Sequence, residues 1–137
     1  MISGVDSSVI LDVLTDDAKF ARQSEQILRV TSAEGQLVIC ECVLAEIYPA
    51  LGSVENCEVF LADWNLRFIP SSRESAELAG ATFVDYLSRG GSHRRVVADF
   101  LIAAHAQVET DRLITRDRGF TRNYFRSLVV LSPTPEA

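Results

Sequence analysis

The 137-residue chain is predicted to fold as one α/β domain, in which helices flank a parallel central sheet of four to five strands. The prediction depends on two observations. Short apolar runs, typical of buried strands, alternate along the chain with longer amphipathic segments, typical of helices, and this alternation indicates βαβ units. The length suits a single domain with its own core, which we assign to residues 1–132, followed by a loose tail over 133–137.

The first part of the chain, through residue 51, predicts two strands and three helices. Ser7 or Ser8 is expected to cap the first helix, and Pro49 is expected to bend or end the third. In chain order the elements are the strand "ISGVD", the helix "SSVILDVLTDD", a helix from about Asp16 to Ala33, the strand "QLVIC" and the helix "CVLAEIYPAL".

The remainder of the chain continues the alternation and ends in a strand. The predicted elements are the helix "VENCEVFLADW", the strand "LRFIP", a helix from Ser72 to Ser88, the loop "RGGSHRR", the helix "ADFLIAAHAQVE", the strand "RLIT", the short helix "GFTRNYF" and the strand "SLVVLS".

Composition excludes several classes of protein. No apolar run approaches the roughly 20 residues of a membrane span, and an acid at position 6 interrupts any leader, so we expect a cytoplasmic protein without a membrane partner. The odd count of three cysteines argues against a full disulfide set. Cys40 and Cys42 lack a second Cys/His pair for zinc, so they are interpreted as core or capping residues.

Charge is distributed unevenly along the chain, whose net charge is −6. Residues 1–88 carry five basic and fourteen acidic side chains, a net charge of −9, whereas residues 89–137 carry eight arginines and five acids, a net charge of +3. An acidic body with an arginine-rich C-terminal third could hold a polyanion locally. A solvated surface explains the same pattern, so charge alone does not decide.

Four carboxylates are predicted to meet at one edge of the sheet, because parallel α/β sheets form their sites at the carboxyl ends of the strands. They are Asp6, Glu46, Asp99 and Asp117. Taken singly, Asp6 and Asp99 could cap helices, Glu46 could be an exposed helix residue, and Asp117 could start a turn. Together in one cleft they would repel one another, and a divalent cation such as Mg²⁺ or Mn²⁺ would relieve that repulsion.

Other chemistries find little support. The chain has no GxxxxGK[ST], GxGxxG or GxSxG motif. His93 and His105 are the only histidines, and His105 is interpreted as a packing or surface residue. Phospho-receivers and aspartate-nucleophile phosphatases use a lysine beside the phosphate, but the only lysine, Lys19, is predicted early in a helix away from the acids.

Four segments of the chain resemble the PIN-domain ribonucleases, and within them the VapC-type toxins of bacterial toxin–antitoxin pairs. The segments are "VDSSVIL", "VLAEIYPAL", "VVADFLIAAHA" and "LITRDRGFTRNYF". They occur in the family's order and at its usual spacing over nearly the whole chain. The resemblance implies a three-layer sandwich of helices around a parallel sheet.

The resemblance also implies an activity and its partners. The activity is that of a Mg²⁺- or Mn²⁺-dependent endoribonuclease that leaves a 5′-phosphate and a 3′-hydroxyl. The partners are RNA, a second copy in a homodimer, and a VapB-type antitoxin that holds the toxin inactive in a hetero-oligomer.

Residue by residue, the resemblance makes Asp6, Glu46, Asp99 and Asp117 the catalytic, metal-binding quartet. Ser8 matches a polar position that the family has two residues after the first aspartate, here Asp6. Thr115 matches a hydroxyl residue that the family has before the last aspartate, here Asp117. Cys42 departs from the pattern, because the family often has a Ser or Thr there to cap the helix that carries the glutamate.

Four arginines flank the acids in sequence and could hold the RNA backbone, namely Arg94, Arg95, Arg116 and Arg118. For each of them a solvated surface charge is the alternative. Two other functions stay open, a catalytically silent PIN-fold protein that acts only through its partner, and a DNA-processing nuclease of the wider superfamily. The latter enzymes usually carry long extra segments.

Overall fold

A computed structural model of the protein describes residues 1–92 and 95–135. Within these ranges the chain forms five strands and seven helices. The strands are β1 (Ile2–Val5), β2 (Gln36–Ile39), β3 (Leu66–Phe68), β4 (Arg112–Ile114) and β5 (Val129–Leu131). The helices are α1 (Ser7–Leu14), α2 (Ala21–Glu34), α3 (Glu41–Leu51), α4 (Val54–Asp63), α5 (Arg73–Ser88), α6 (Val97–Glu109) and α7 (Arg118–Tyr124).

The five strands form one parallel sheet in the order β3-β2-β1-β4-β5. The predicted α/β class with a parallel central sheet is therefore confirmed. Strand β1 lies at the centre, and the direction of winding reverses between β1 and β4, which is where such sheets form their clefts. The register pairs Val5 of β1 with Ile114 of β4, so the residues that follow these two strands emerge side by side.

Close packing at two glycines holds the central strand in place. A side chain at Gly4 would meet the Ala106 Cβ at 3.3 Å, because α6 lies directly against β1. A Cβ at Gly35 would lie 1.9 Å from the Met1 carbonyl oxygen, which accepts a hydrogen bond from Gln36 N–H at 2.9 Å. Glycine thus allows the chain to enter β2 directly beside β1.

An aromatic cluster centred on Phe100 anchors the start of α6. Phe100 is fully buried, and its ring centroid lies 4.9 to 5.3 Å from those of Phe120, Phe83 and Tyr86. Burying a Phe ring typically contributes about 1.5–3 kcal/mol. Because Asp99 directly precedes Phe100, this packing also determines where the Asp99 carboxylate can lie.

Several details of the predicted elements were wrong. Asp6, not Ser7 or Ser8, is the N-cap residue of α1, and both serines lie inside the helix. Helix α2 begins at Ala21 rather than near Asp16, because the Asp17 carboxylate accepts hydrogen bonds from the N–H groups of Lys19 and Phe20 and holds a turn there. Lys19 consequently lies before the helix.

Helix α3 begins one residue earlier than predicted and ends at Leu51, as predicted. Its N-cap residue is Cys40, so Cys42 lies within the helix and does not cap it. The helix continues through Pro49 to Leu51 and ends at Gly52, whose φ of 88° is the left-handed conformation that favours glycine. The tail predicted for 133–137 and the loop "RGGSHRR" lie partly outside the described residues.

Candidate active site

Asp6 lies at the carboxyl end of the central strand, where two hydroxyl groups orient its carboxylate. Its backbone N–H donates to the Ile114 carbonyl at 2.9 Å, which continues the ladder between β1 and β4. Asp6 Oδ2 accepts hydrogen bonds from Ser8 Oγ at 2.9 Å and from Thr115 Oγ1 at 2.7 Å. Ser8 and Thr115 therefore touch the first acid directly and hold it in one orientation.

Glu46 is connected to Asp6 through Ser7. The Ser7 hydroxyl donates to Glu46 Oε1 at 3.0 Å and lies 3.4 Å from Asp6 Oδ1. Although Glu46 is exposed as a residue, desolvation of its carboxyl group raises its pKa, and the charges of Asp6 and Asp99 act in the same direction. The hydrogen bond from Ser7 opposes this rise. The negative charges of Asp6 and Asp99 therefore contribute to the raised pKa of Glu46.

Asp99 lies in the first turn of α6 and points its carboxylate toward the start of that helix. Asp99 Oδ2 accepts a hydrogen bond from Val96 N–H at 3.1 Å. This contact satisfies a backbone donor that the helix leaves unpaired, so Asp99 does cap its helix, from the third helical position. One carboxylate oxygen serves this role, and the residue also lines the cavities described below.

Asp117 directly precedes α7 and pairs with Arg95. The Asp117 N–H donates to Thr115 Oγ1 at 3.0 Å, and its Oδ2 forms an ion pair with Arg95 Nη1. The Arg95 guanidinium also lies over the Phe120 ring, 4.4 Å from the ring centroid. A cation from the chain itself thus lies beside the last acid.

Two cavities share the three aspartates Asp6, Asp99 and Asp117. The smaller has a volume of about 30 Å³, enough for a water molecule or a bare ion, and Arg95 and Thr115 also line it. The wider has a volume of about 550 Å³ and is also lined by Ser7, Ser8, Leu11 and Arg116. Glu46 does not line either cavity in the described part of the chain, and Ser7 links it to Asp6 alone.

The chemistry of these donors fits a hard divalent ion, because Mg²⁺ and Mn²⁺ prefer carboxylate oxygens. Among the described residues, however, no three His, Cys, Asp or Glu side chains are drawn together closely enough to hold an ion as they stand. Asp117 turns toward Arg95, Asp99 toward Val96 N–H and Glu46 toward Ser7. Binding an ion would require these carboxylates to move closer together.

The remaining predicted residues occupy varied positions. Arg116 lies at the rim of the wider cavity and pairs with Asp12. Arg118 is exposed at the first position of α7 and is not among the described residues that line the two cavities. Arg94 and His93 lie outside the described residues.

His105 is buried with Nε2 2.7 Å from the Ile69 carbonyl oxygen, which agrees with its predicted packing role.

Sequence reasoning missed two residues of this region, Ser7 and Asp12. Ser7 was interpreted only as a cap, although it links Glu46 to Asp6. Asp12 is buried, accepts from Ser24 Oγ at 2.8 Å, and has a pKa raised mainly by burial. An acid within the apolar run "VILDVL" was the available signal, since buried carboxylates need partners.

The three cysteines are free thiols, which agrees with the prediction that they do not form a full disulfide set. Cys40 and Cys57 are buried, and burial raises the pKa of Cys40 to about 11. The described residues also include no helix that combines the length and the apolar character needed to cross a bilayer.

Comparison with known proteins identifies the family and the fold. The family model described as PIN domain matches residues 5–126. No curated protein sequence matches the chain.

Several solved structures share the fold over nearly their whole length. VapBC2 from Rickettsia felis, bound to a DNA fragment from its promoter, has a TM-score of 0.76 at 19% identity, covering 96% of this chain and 98% of that one. VapBC-1 from nontypeable Haemophilus influenzae has a TM-score of 0.73 at 16% identity, with coverage of 96% and 98%. A toxin-antitoxin complex from Klebsiella pneumoniae has a TM-score of 0.67 at 20% identity, with coverage of 96% and 97%.

Proposed function

The chain belongs to the PIN domain family, and from this premise we propose that it is a VapC-like toxin, a metal-dependent endoribonuclease that hydrolyses RNA phosphodiester bonds. The observation that carries the proposal is the small cavity lined by Asp6, Asp99 and Asp117 at the carboxyl edge of the sheet. Glu46 is linked to one of these three, Asp6, through the Ser7 hydroxyl. Four acids without a cation would repel one another, so the arrangement favours a positively charged ligand.

We propose that Asp6, Glu46, Asp99 and Asp117 hold Mg²⁺ or Mn²⁺. When bound, such an ion supplies an activated water and stabilises negative charge on phosphate oxygens. Asp6 is the best oriented of the four, because Ser8 and Thr115 both donate to its Oδ2. The role we assign to Ser8 and Thr115 is therefore to keep the first ligand in place, as partners of metal ligands commonly do.

Cleavage by water attack on phosphorus breaks the bond to the 3′ oxygen, so the products carry a 5′-phosphate and a 3′-hydroxyl. This route needs no histidine pair, which suits a chain with two histidines of which His105 is buried against Ile69. The acids repel the RNA backbone, and arginines must offset that repulsion. We assign this role to Arg94, Arg95, Arg116 and Arg118.

We further propose a VapB-type antitoxin as partner of a homodimeric toxin. Support comes from the fold shared with the toxin-antitoxin complex from Klebsiella pneumoniae. The antitoxin would insert an Arg or Lys among the acids, or cover the basic rim, and so exclude metal or RNA. The pairing of Arg95 with Asp117 supports the first route, because a guanidinium already fits beside the acids.

The activity is tested with purified, antitoxin-free protein and a mixed pool of RNA. We expect cleavage with Mg²⁺ or Mn²⁺, none with EDTA, and products that a 5′-phosphate-dependent exonuclease can degrade. In cells, the chain expressed alone should arrest growth, and coexpression of its antitoxin should restore it. Cleavage that persists in EDTA would contradict the proposal.

The alternative is a catalytically silent PIN-fold protein that acts only through its partner. The observation in its favour is that Arg95 already neutralises Asp117, while the described carboxylates are not drawn together around a common point. A chain that binds its antitoxin tightly, but leaves RNA intact with either metal, would support this alternative over the nuclease.

A further inference from the structure

Arg116 and Asp12 form a pair outside the acidic quartet, at the rim of the wider cavity. We infer that Arg116, held in position by Asp12 and Phe20, binds a backbone phosphate of single-stranded RNA in that cavity. The inference rests on the proposed nuclease function and deepens it, since it specifies how one of the four proposed arginines is held and adds Asp12 as a positioning residue.

Asp12 is placed to orient Arg116 rather than to react. Its side chain is only 3% exposed, and among the described residues each carboxylate oxygen has one partner. Oδ1 lies 3.2 Å from Arg116 Nη2, and Oδ2 accepts from Ser24 Oγ at 2.8 Å. A carboxylate buried to this degree is costly without its cation, so Arg116 is held there and is not a freely moving surface charge.

Phe20 restrains the guanidinium from a second side. The Arg116 guanidinium carbon lies 4.3 Å from the centroid of the Phe20 ring. The turn that carries Phe20 is itself held in place, because the Phe20 N–H donates a hydrogen bond to Asp17 Oδ1 at 3.0 Å. An ion pair and a stacked ring together specify both the position and the plane of the guanidinium.

Within the part of the chain that the structure describes, the remaining side-chain donors of Arg116 are available to a ligand. Its side chain is 36% exposed and lines the wider cavity, and the ion pair with Asp12 engages Nη2. Arg116 is also the one basic residue among the described residues that line this cavity. A phosphate entering there would be repelled by the three aspartates and attracted toward Arg116. Donors that are already oriented lose less entropy when they bind.

Arg95 does not suit this role equally well. Its partner Asp117 belongs to the proposed metal-binding quartet, and both line the smaller cavity. An ion bound by Asp117 would therefore compete with Arg95 for that carboxylate. Arg116 can keep Asp12 and contact phosphate at the same time, because Asp12 lies outside the quartet. The wider cavity thus has a prepared phosphate contact that is independent of the metal.

The test measures RNA affinity without cleavage. All variants are made in an Asp99→Asn background and titrated in EDTA with fluorescent oligouridine and oligoadenosine, so that neither toxicity nor hydrolysis interferes. Arg116→Gln should weaken binding of both oligonucleotides by about tenfold and lower the salt slope by roughly 0.7, the value for one phosphate contact on a single strand. Arg126→Gln, which removes an exposed charge away from both cavities, is the matched control and should change affinity by less than about twofold.

Two further variants separate positioning from charge and from folding. Arg116→Lys keeps the charge but loses the planar fork, so its affinity should stay closer to that of Arg116→Gln than to that of the parent. If Arg116→Gln leaves Asp12 unpaired and fails to fold, the double variant Asp12→Asn with Arg116→Gln removes both charges, and it should show the same loss of affinity.

Three outcomes would overturn the inference: unchanged affinity in Arg116→Gln, equal losses in Arg116→Gln and Arg126→Gln, or full recovery by Arg116→Lys. A parent that binds neither oligonucleotide overturns it as well. Cleavage by the wild-type protein with Mn²⁺ is scored separately. Because affinity is measured in EDTA, binding through Arg116 can stand while the nuclease proposal fails, and the reverse also holds.

Discussion

Thr115 donates its hydroxyl hydrogen to Asp6 Oδ2 at 2.7 Å, across the boundary between the central strand and its neighbour. The same hydroxyl oxygen accepts the Asp117 N–H at 3.0 Å. One buried side chain therefore joins the first and last acids of the proposed quartet. The contact follows from the pairing of Val5 with Ile114, which brings the next residue of each strand to the same edge.

Replacing Thr115 by valine should impair both activity and stability. Valine matches threonine in shape but cannot donate to Asp6 or accept from Asp117 N–H. Loss of a residue that orients a metal ligand typically lowers activity or metal affinity by about 10–100-fold, and the buried hydrogen bonds account for about 1–3 kcal/mol of stability. Thr115→Ser keeps the hydroxyl and is the control. Equal RNA cleavage rates and equal Mn²⁺ affinities for both variants would contradict the assigned role.

The change Asp99→Asn separates helix capping from metal binding. Asparagine can still accept the hydrogen bond from Val96 N–H, so the cap survives while a negative ligand is lost. We expect RNA cleavage to fall by orders of magnitude and the melting temperature to stay level or rise, because carboxylate repulsion is relieved. Asp63→Asn, at an exposed position on α4, should leave cleavage intact. If Asp99→Asn cleaved RNA at the full rate, Asp99 would only cap its helix and would not bind metal.

Asp12 should make the stability of the protein depend on pH. Its folded-state pKa is raised above the ordinary value of 3.8, mainly by burial, so the folded state binds the proton more tightly than the unfolded state. The contribution of Asp12 to stability should therefore fall as pH rises from 3.8 through the raised pKa. Asp12→Asn should remove this component from melting curves recorded across the window. The prediction fails if the free energy of unfolding of the wild type rises with pH relative to that of Asp12→Asn.

Gly35→Ala should destabilise the fold by about 1–3 kcal/mol, the usual cost of overpacking. The added Cβ would lie 1.9 Å from the Met1 carbonyl oxygen, so the backbone at the start of β1 or β2 must move. Gly80→Ala is the matched control, because nothing lies within 4 Å of its Cβ and it sits within α5. That variant should be stabilised by up to about 1 kcal/mol. Chemical denaturation of both variants measures the difference.

The fold and the placement of the acids could be predicted from the sequence because both depend on local patterns. Apolar periodicity distinguishes strands from helices, and in a parallel sheet every strand ends at the same edge. Asp6 and Asp117 therefore had to come near each other once the strands were assigned. The start of α2 was predicted wrongly because the Asp17 side chain binds backbone donors there in place of the helix.

The partners of the charged residues were decided by the tertiary structure alone. Nothing local to Arg116 indicates that it pairs with Asp12 and stacks on Phe20, and nothing local to Arg95 indicates its pairing with Asp117. The sequence by itself determined which residues are charged and on which helices, strands or loops these residues lie. Only the folded chain decided which charges neutralise one another, because ion pairing depends on separations of a few ångströms between segments far apart in sequence.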